Sequence, residues 1–366
     1  MLEDTKYNPN IAIHPGATLK DTLDELGMSQ SDLATRTGLT PKTINEIIQG
    51  KNPITPETAI KLSSVFGMSA TFWNNLERNY QETIVRLDRE EKLKSELPTL
   101  KNYVCYKELA KWKYVPPSKR PEEKISNLLN FFGVSSLQFV KDTHQVAFRQ
   151  SKQEQLSKES LAAWLRCGEL EAAKISTSLF DREKLISSIE VLRKLTRIRT
   201  GELQEKLQKI CADFGVAIAF VPYFGKTYVD GATRWINSDK ALIQVSLRGA
   251  WSDNFWFTFF HEIGHLLRHG KKEAFVEFEN KDNRELQEKE KEADEFATET
   301  LIPSEAFKTF LATRDFSDRA IKAFADEISV TAGIVAGRLG HELAERGSIN
   351  GWKRFAHLRT RIKFAE

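Results

Sequence analysis

The stretch from Phe255 to Gly270, FWFTFFHEIGHLLRHG, constrains this chain more than any other. Phe255, Trp256, Phe257, Phe259, Phe260, Ile263, Leu266 and Leu267 leave it no solvent face until Arg268. A helix that is apolar all round is a buried helix. Yet His261, Glu262 and His265 sit in its middle, and a buried carboxylate is costly unless a partner or a metal holds it. His261 and His265 are four residues apart, so they stack on one helical face and reach a common point. Glu262 lies about 100° further round, where it can approach a group bound at that point without binding it.

With 7 His and 51 Asp plus Glu in 366 residues, roughly 0.02 matches to H-E-x-x-H are expected by chance. A third ligand should follow downstream. Glu288, Glu290, Glu292 and Glu295 all fall in one charged helix, so proximity in sequence decides nothing. Face and spacing do. Glu290, Ala293, Asp294 and Ala297 share a face, and the alanines allow close approach to another helix. Phe296 and Leu301 anchor the same helix. The pattern E-x-x-A-D puts Glu290 at the metal, with Asp294 one turn on to hold a ligand histidine's other ring nitrogen. Glu292 is the fallback ligand, and Glu288 and Glu295 read as solvated. His269 reads as a surface residue at the helix end, and His341 as structural or surface.

Two histidines and a glutamate leave the fourth position of a Zn2+ ion open, as in catalytic sites, and one ion per chain is expected. There the metal acidifies a water, and Glu262 takes the proton and passes it to the leaving amine. Upstream, VAIAFVPYF, ATRWI and ALIQVSL read as strands separated by the turn residues Asp230-Gly231 and Asn237-Ser238-Asp239. ALIQVSL is the expected edge strand on which an extended substrate would pair.

GVAIAFVPYF, GATRW, KALIQVSLR, NFWFTFFHEIGHLLRHGKK and EKEADEFATETLIP together resemble the ImmA/IrrE family of zinc metallopeptidases. The resemblance implies a gluzincin-like (zincin) domain that cleaves XRE-type repressors, and His261, Glu262, His265 and Glu290 match the family's motif position by position. The substrate is left open among a separate repressor, this chain's own linker, or none.

The first 80 residues carry a second module. Ser29, Thr40-Pro41, Thr55-Pro56 and Ser69 read as helix starts, and Gly27, Gly38 and Gly67 as helix ends. Gln30 to Gln49 fits a helix-turn-helix, with Ala34 small at the helix crossing and Ile44 and Ile47 facing inward. Gln30, Thr40, Lys42, Thr43, Asn45, Glu46 and Gln49 then lie on or near the outer face that meets the major groove. Asn45 and Gln49 can read adenine, and Lys42 guanine or phosphate. Residues 1–86 hold 8 Lys and Arg against 10 Asp and Glu, so no basic stripe supports this. The stretch from His14 to Glu77 resembles the XRE-type heads of HigA-family antitoxins. That resemblance implies a head that represses its own operon and a cognate toxin as partner, while a helix-turn-helix head of this kind is expected to bind operator half-sites as a homodimer.

Between the modules, ETIVRLDREEKLKSEL reads as an exposed connecting helix and KYVPPSKRPEEK as a boundary. ISNLLNFFGV, SLAAWLRCGELEAAKI and LISSIEVLRKLTRI read as packed helices, with Phe131, Phe132 and Trp164 in their core. His144 reads as structural. In the tail, Ala325, Ile328 and Val335 fall near helix-turn-helix spacing, but their small size suits packing. WKRFAHLRTRIKF is basic and aromatic, fit for nucleic acid or for a surface.

The chain is thus expected to be mainly α with a small β-sheet (α+β). The expected parts are a five-helix head over 1–80, a connector over 81–120, a helical middle over 121–205, a metallopeptidase domain over 206–310 and a closing helical region over 311–366. Cys105, Cys167 and Cys211 form neither a disulfide framework nor a C-x-x-C site. No apolar run is membrane-spanning, and MLEDTKYNPN lacks a signal pattern, so a cytoplasmic location without membrane contact is expected. The function expected is a DNA-binding regulator of the antitoxin type with a zinc-dependent endopeptidase domain. The alternative is a non-catalytic antitoxin whose zinc domain is structural or binds a toxin.

Overall fold

Helix starts in the N-terminal part are set by side chains that accept from the first free N–H groups. His14, Ser29, Thr40, Thr55 and Ser69 cap α1 (Pro15–Glu25), α2 (Gln30–Thr37), α3 (Pro41–Ile48), α4 (Pro56–Phe66) and α5 (Ala70–Ser95) respectively. Gly38 and Gly67 end α2 and α4 with φ of 68° and 74°, where glycine carries no Cβ penalty. Leu19, Leu33, Ile44, Ile47, Leu62 and Trp73 form the core of these five helices. At Gly16 a Cβ would lie 2.0 Å from the Ile47 carbonyl oxygen, so α1 and α3 pass closer than any other residue permits.

The computed structural model describes residues 10–143, 156–198, 200–246, 251–270, 275–276, 284–347 and 351–362. His144 lies outside them. The chain divides into two compact units, Met1–Pro98 and Thr99–Glu366. No helix among the described residues is long and apolar enough to cross a membrane.

The second unit is organised on a sheet of β1 (Val216–Val221), β2 (Gly231–Asn237), β3 (Lys240–Ser246) and β4 (Phe275–Val276), in the order β1-β3-β2-β4. β1 pairs with β3 in parallel, while β2 pairs antiparallel with both β3 and β4. The expectation that ALIQVSL forms the edge is therefore corrected. β3 is interior and almost wholly buried, because β1 crosses over to take its far side. β1 and β4 are the outer strands among the described residues.

Around the sheet run α6 (Pro121–Phe132), α7 (Lys158–Lys174), α8 (Arg182–Lys194), α9 (Thr200–Ala212), α10 (Ser252–Arg268), α11 (Arg284–Leu301), α12 (Ser304–Ala312), α13 (Asp318–Glu327) and α14 (Ala332–Glu345). Ile243 and Val245 of β3 join the apolar cluster that contains Phe259, Phe260 and Ile263 of α10. Gln244, on the opposite face, donates to the Trp164 carbonyl of α7 at 2.6 Å. Gly168 makes room for it, since a Cβ there would lie 1.8 Å from the Gln244 side chain. The sheet is thus covered by α10 on one face and α7 on the other. Phe131, Phe132 and Trp164 are buried, and the three cysteines are buried and free.

The C-terminal segment docks on the start of α10. Arg359 bonds the buried Asp253 at 2.8 Å, and Arg359 and Arg361 each lie 4.8 Å from the Trp251 ring. The basic, aromatic tail is spent partly on this contact. Ala325 and Val335 are buried in the main core, so their spacing serves packing.

Candidate functional site

α10 carries His261, Glu262 and His265 at 1%, 1% and 2% exposure, which the surrounding Phe and Trp rings impose. α11 crosses it closely because Gly264 faces Ala293: a Cβ on Gly264 would lie 3.0 Å from the Ala293 Cα. Ala293 and Ala297 are fully buried at this crossing. The close approach brings Glu290 to the histidines. Its carboxylate lies 3.1 Å from His261 Nε2 and 3.5 Å from His265 Nε2. Ligand atoms of His261, His265 and Glu290 all lie within 4.8 Å of one another.

The ring protons follow from the hydrogen bonds. The Asp294 carboxylate accepts from His261 Nδ1 at 2.8 Å, so the Nδ1 atom carries the proton and Nε2 presents a lone pair. His265 Nε2 faces that lone pair at 2.9 Å. Burial depresses the His265 imidazolium below its ordinary range, against the pull of Glu290. Burial would raise the Glu290 carboxyl, but bonds to His261 and His265 overcome it and hold the group at about 2. Two imidazole nitrogens and an ionised carboxylate thus converge on one buried point, the ligand types that a divalent cation takes once both Nε2 atoms are unprotonated.

Glu262 lies on the sheet side of α10. The Thr233 hydroxyl of β2 donates to the Glu262 carbonyl at 3.2 Å. Its carboxylate occupies the space above Gly231, where a Cβ would lie 2.3 Å from Glu262 Oε1. The Asp-Gly pair, legible only as a turn, therefore also makes room for this side chain.

Two expectations are corrected. His269 is not a surface residue: its side chain is 4% exposed. α10 ends at Arg268, and the extended backbone of His269 (φ −116°, ψ 163°) takes the ring out of the helical progression. Its Nδ1 lies 3.0 Å from His265 Nδ1 and its Nε2 3.3 Å from Glu292. Glu292 thus pairs with His269 and is not in the Glu290 cluster. His341 lies on the surface beside Glu345. The missed signal was a further His four residues past His265 paired with a Glu two past Glu290.

On the head, Thr40 Oγ1 accepts from the Thr43 amide and contacts the Thr43 hydroxyl at 2.8 Å. Gln49 donates to Asn45 at 3.3 Å, while Lys42 extends into solvent 3.8 Å from Glu46. Glu46 also accepts from Asn52 at 2.8 Å, which ties its carboxylate to the protein. Gln30 opens α2 and is half-buried.

Two regions of the chain match known family domains. A helix-turn-helix family model matches residues 19–73, and an IrrE N-terminal-like domain model matches residues 211–340. The uncharacterized HTH-type transcriptional regulator YddM of Escherichia coli (strain K12) is 41% identical over 63 residues, covering 17% of this chain and 67% of that protein. Virulence-associated protein I of Dichelobacter nodosus is 35% identical over 80 residues, covering 22% of this chain and 74% of that protein. The chain belongs to the XRE-type helix-turn-helix family and carries an IrrE N-terminal-like domain. Among solved structures it is similar to an addiction module antidote protein of a HigA family from Coxiella burnetii. That match has 31% identity over 23% of this chain and 94% of the other, with a TM-score of 0.22. The Pseudomonas aeruginosa antitoxin HigA with its higBA promoter has 31% identity over 24% and 95%, with a TM-score of 0.22. The XRE-type match contains α2 and α3. The IrrE-like match contains β1 to β3, α10 and α11, hence His261, Glu262, His265, Glu290 and Asp294.

Proposed function

We propose that this chain is a DNA-binding regulator whose IrrE-like domain is a zinc-dependent endopeptidase acting on a regulatory protein, with an XRE-type repressor as the substrate class. The observation that carries this reading is the buried convergence of His261, His265 and Glu290, with the equally buried Glu262 next to His261 in the helix. The residues fit a zinc ion: two imidazole nitrogens and one ionised oxygen, a three-residue set that leaves the fourth position of a tetrahedral ion to a non-protein ligand. His261, His265 and Glu290 would hold it, and Asp294 would keep the His261 ring in the ligating tautomer. Zinc, when bound, supplies Lewis acidity that acidifies a water and polarises a peptide carbonyl. Glu262 takes the proton of the attacking water and delivers it to the leaving nitrogen. Its burial keeps competing water away from the carboxylate and strengthens its interaction with the reacting atoms.

The experiment is a comparison of three full-length proteins by metal content and by cleavage of a co-expressed XRE-type repressor. Wild type should hold one zinc and cleave. Glu262→Gln should keep zinc and lose cleavage by a factor of roughly 10²–10⁴, the usual worth of a positioned proton carrier. His261→Ala should lose both. Equal cleavage by Glu262→Gln ends the catalytic role. A zinc-loaded wild type that cleaves nothing favours the non-catalytic antitoxin reading.

The head is read as the operator-binding part, likewise as a homodimer, with a neighbouring toxin as a further partner. Support comes from the XRE-type match and from the transcriptional-regulator name of its E. coli relative. Lys42→Ala with Asn45→Ala should abolish the gel shift on the promoter upstream of its own gene. An unchanged shift means that α3 does not read DNA through this face.

A further inference from the structure

We propose that His269 and Glu292 form a second hydrogen-bonded chain that fixes the ring of His265, as Asp294 fixes the ring of His261. The inference rests on the zinc-site reading above and adds two positioning residues to it. His265 can ligate through Nε2 only if its proton sits on Nδ1. The atom 3.0 Å from that Nδ1 is His269 Nδ1, which must then act as the acceptor. Its own proton is thereby assigned to Nε2, which faces the Glu292 carboxylate at 3.3 Å. Each tautomer in the series is dictated by the next, and the series ends on an anion. Glu292 orients His269, His269 orients His265, and the His265 lone pair is left aimed at the point shared with His261 and Glu290.

Two features favour this over simple packing. The His269 side chain is buried although its residue lies beyond the helix end, and the extended backbone there turns it toward His265. The two ligand histidines are also buttressed differently. Asp294 reaches His261 directly from α11, whereas Glu292, two residues earlier on α11, needs an imidazole between. The intervening ring spans the gap that the helical stagger leaves.

The test titrates zinc alone into metal-free full-length protein against a chromophoric chelator, and melts each metal-free protein by circular dichroism. His269→Leu should weaken zinc about 10–100-fold, the usual cost of losing an outer hydrogen-bond partner. His269→Asn, whose amide oxygen can accept from His265 Nδ1, should recover most of that loss. Wild-type affinity in His269→Leu overturns the inference while leaving the metal site intact. Equal weakness in His269→Asn and His269→Leu also overturns it, because bulk and not an acceptor would then be required. A wild type that binds no zinc removes both this inference and the site reading. Should His269→Leu fail to fold, Glu292→Ala replaces it. Its side chain is half exposed, so the fold tolerates the change. It should still lose affinity several-fold, and unchanged affinity overturns the proposal.

Discussion

Gly231 shows how a single missing side chain shapes the site. A Cβ there would meet Glu262 Oε1 at 2.3 Å, Glu262 Cδ at 3.0 Å and Thr258 Cγ2 at 2.6 Å. The Glu262 tip can swing away but the buried Thr258 methyl cannot, so Gly231→Ala should also cost about 1–3 kcal/mol of stability for overpacking. Movement of that tip is what catalysis would feel, since a misplacement of about 1 Å can cost on the order of 10²-fold in rate. Gly231→Ala should therefore lower kcat toward a repressor substrate about 100-fold while zinc stays at one per chain. Retained kcat, measured beside metal content, would show that Glu262 does not work from its present position. At this scale the meeting of His261, His265 and Glu290 was legible, because helical spacing and two alanines fix it locally. His269 was not. Its reading assumed that the helix runs on, whereas a single extended residue at the helix end redirects the ring.

The elements that bring the site together are α10 and α11, and their separation is set at Gly264 and Ala293. Glu290 lies three residues before Ala293, so any widening of the crossing carries its carboxylate away from both imidazoles. Ala293→Leu inserts a branched side chain where none fits, at a stability cost of about 1–3 kcal/mol for overpacking. Metal sites tolerate distance errors of only about 0.2 Å. Zinc affinity measured by chelator competition should thus fall more than the stability change implies, by at least about tenfold. An Ala293→Leu protein with wild-type affinity would mean that Glu290 is not held by this crossing. Element starts in the head were legible for the same local reason: Ser29, Thr40, Thr55 and Ser69 each accept from an amide three residues on. Strand order was not, because it depends on where β1 crosses over relative to the β2–β3 hairpin. Alternation along ALIQVSL cannot report that, and a strand covered on both faces reads as continuously apolar wherever it lies.

The molecule as a whole joins two units with separate cores, one around Trp73 and Leu33, the other around Phe259 and the sheet. Among the described residues, the convergent His and carboxylate set belongs to the second unit only. A ligand that binds the native state alone stabilises the part that binds it, by about 2.7 kcal/mol at a hundredfold excess over Kd. The apolar clusters of the two units share no residue, so that stabilisation should stay in one of them. Calorimetry of the full chain should resolve two transitions. Saturating zinc should raise the one belonging to Thr99–Glu366 by roughly 5–10 °C, given the size of that unit. The transition of Met1–Pro98 should stay where it is, with EDTA reversing the shift. The head alone, produced as residues 1–98, identifies its transition independently. If zinc moves both transitions together, the units unfold as one, and the His261–Glu290 cluster is energetically linked to the helix-turn-helix head. If it moves neither, no metal is held by the native fold.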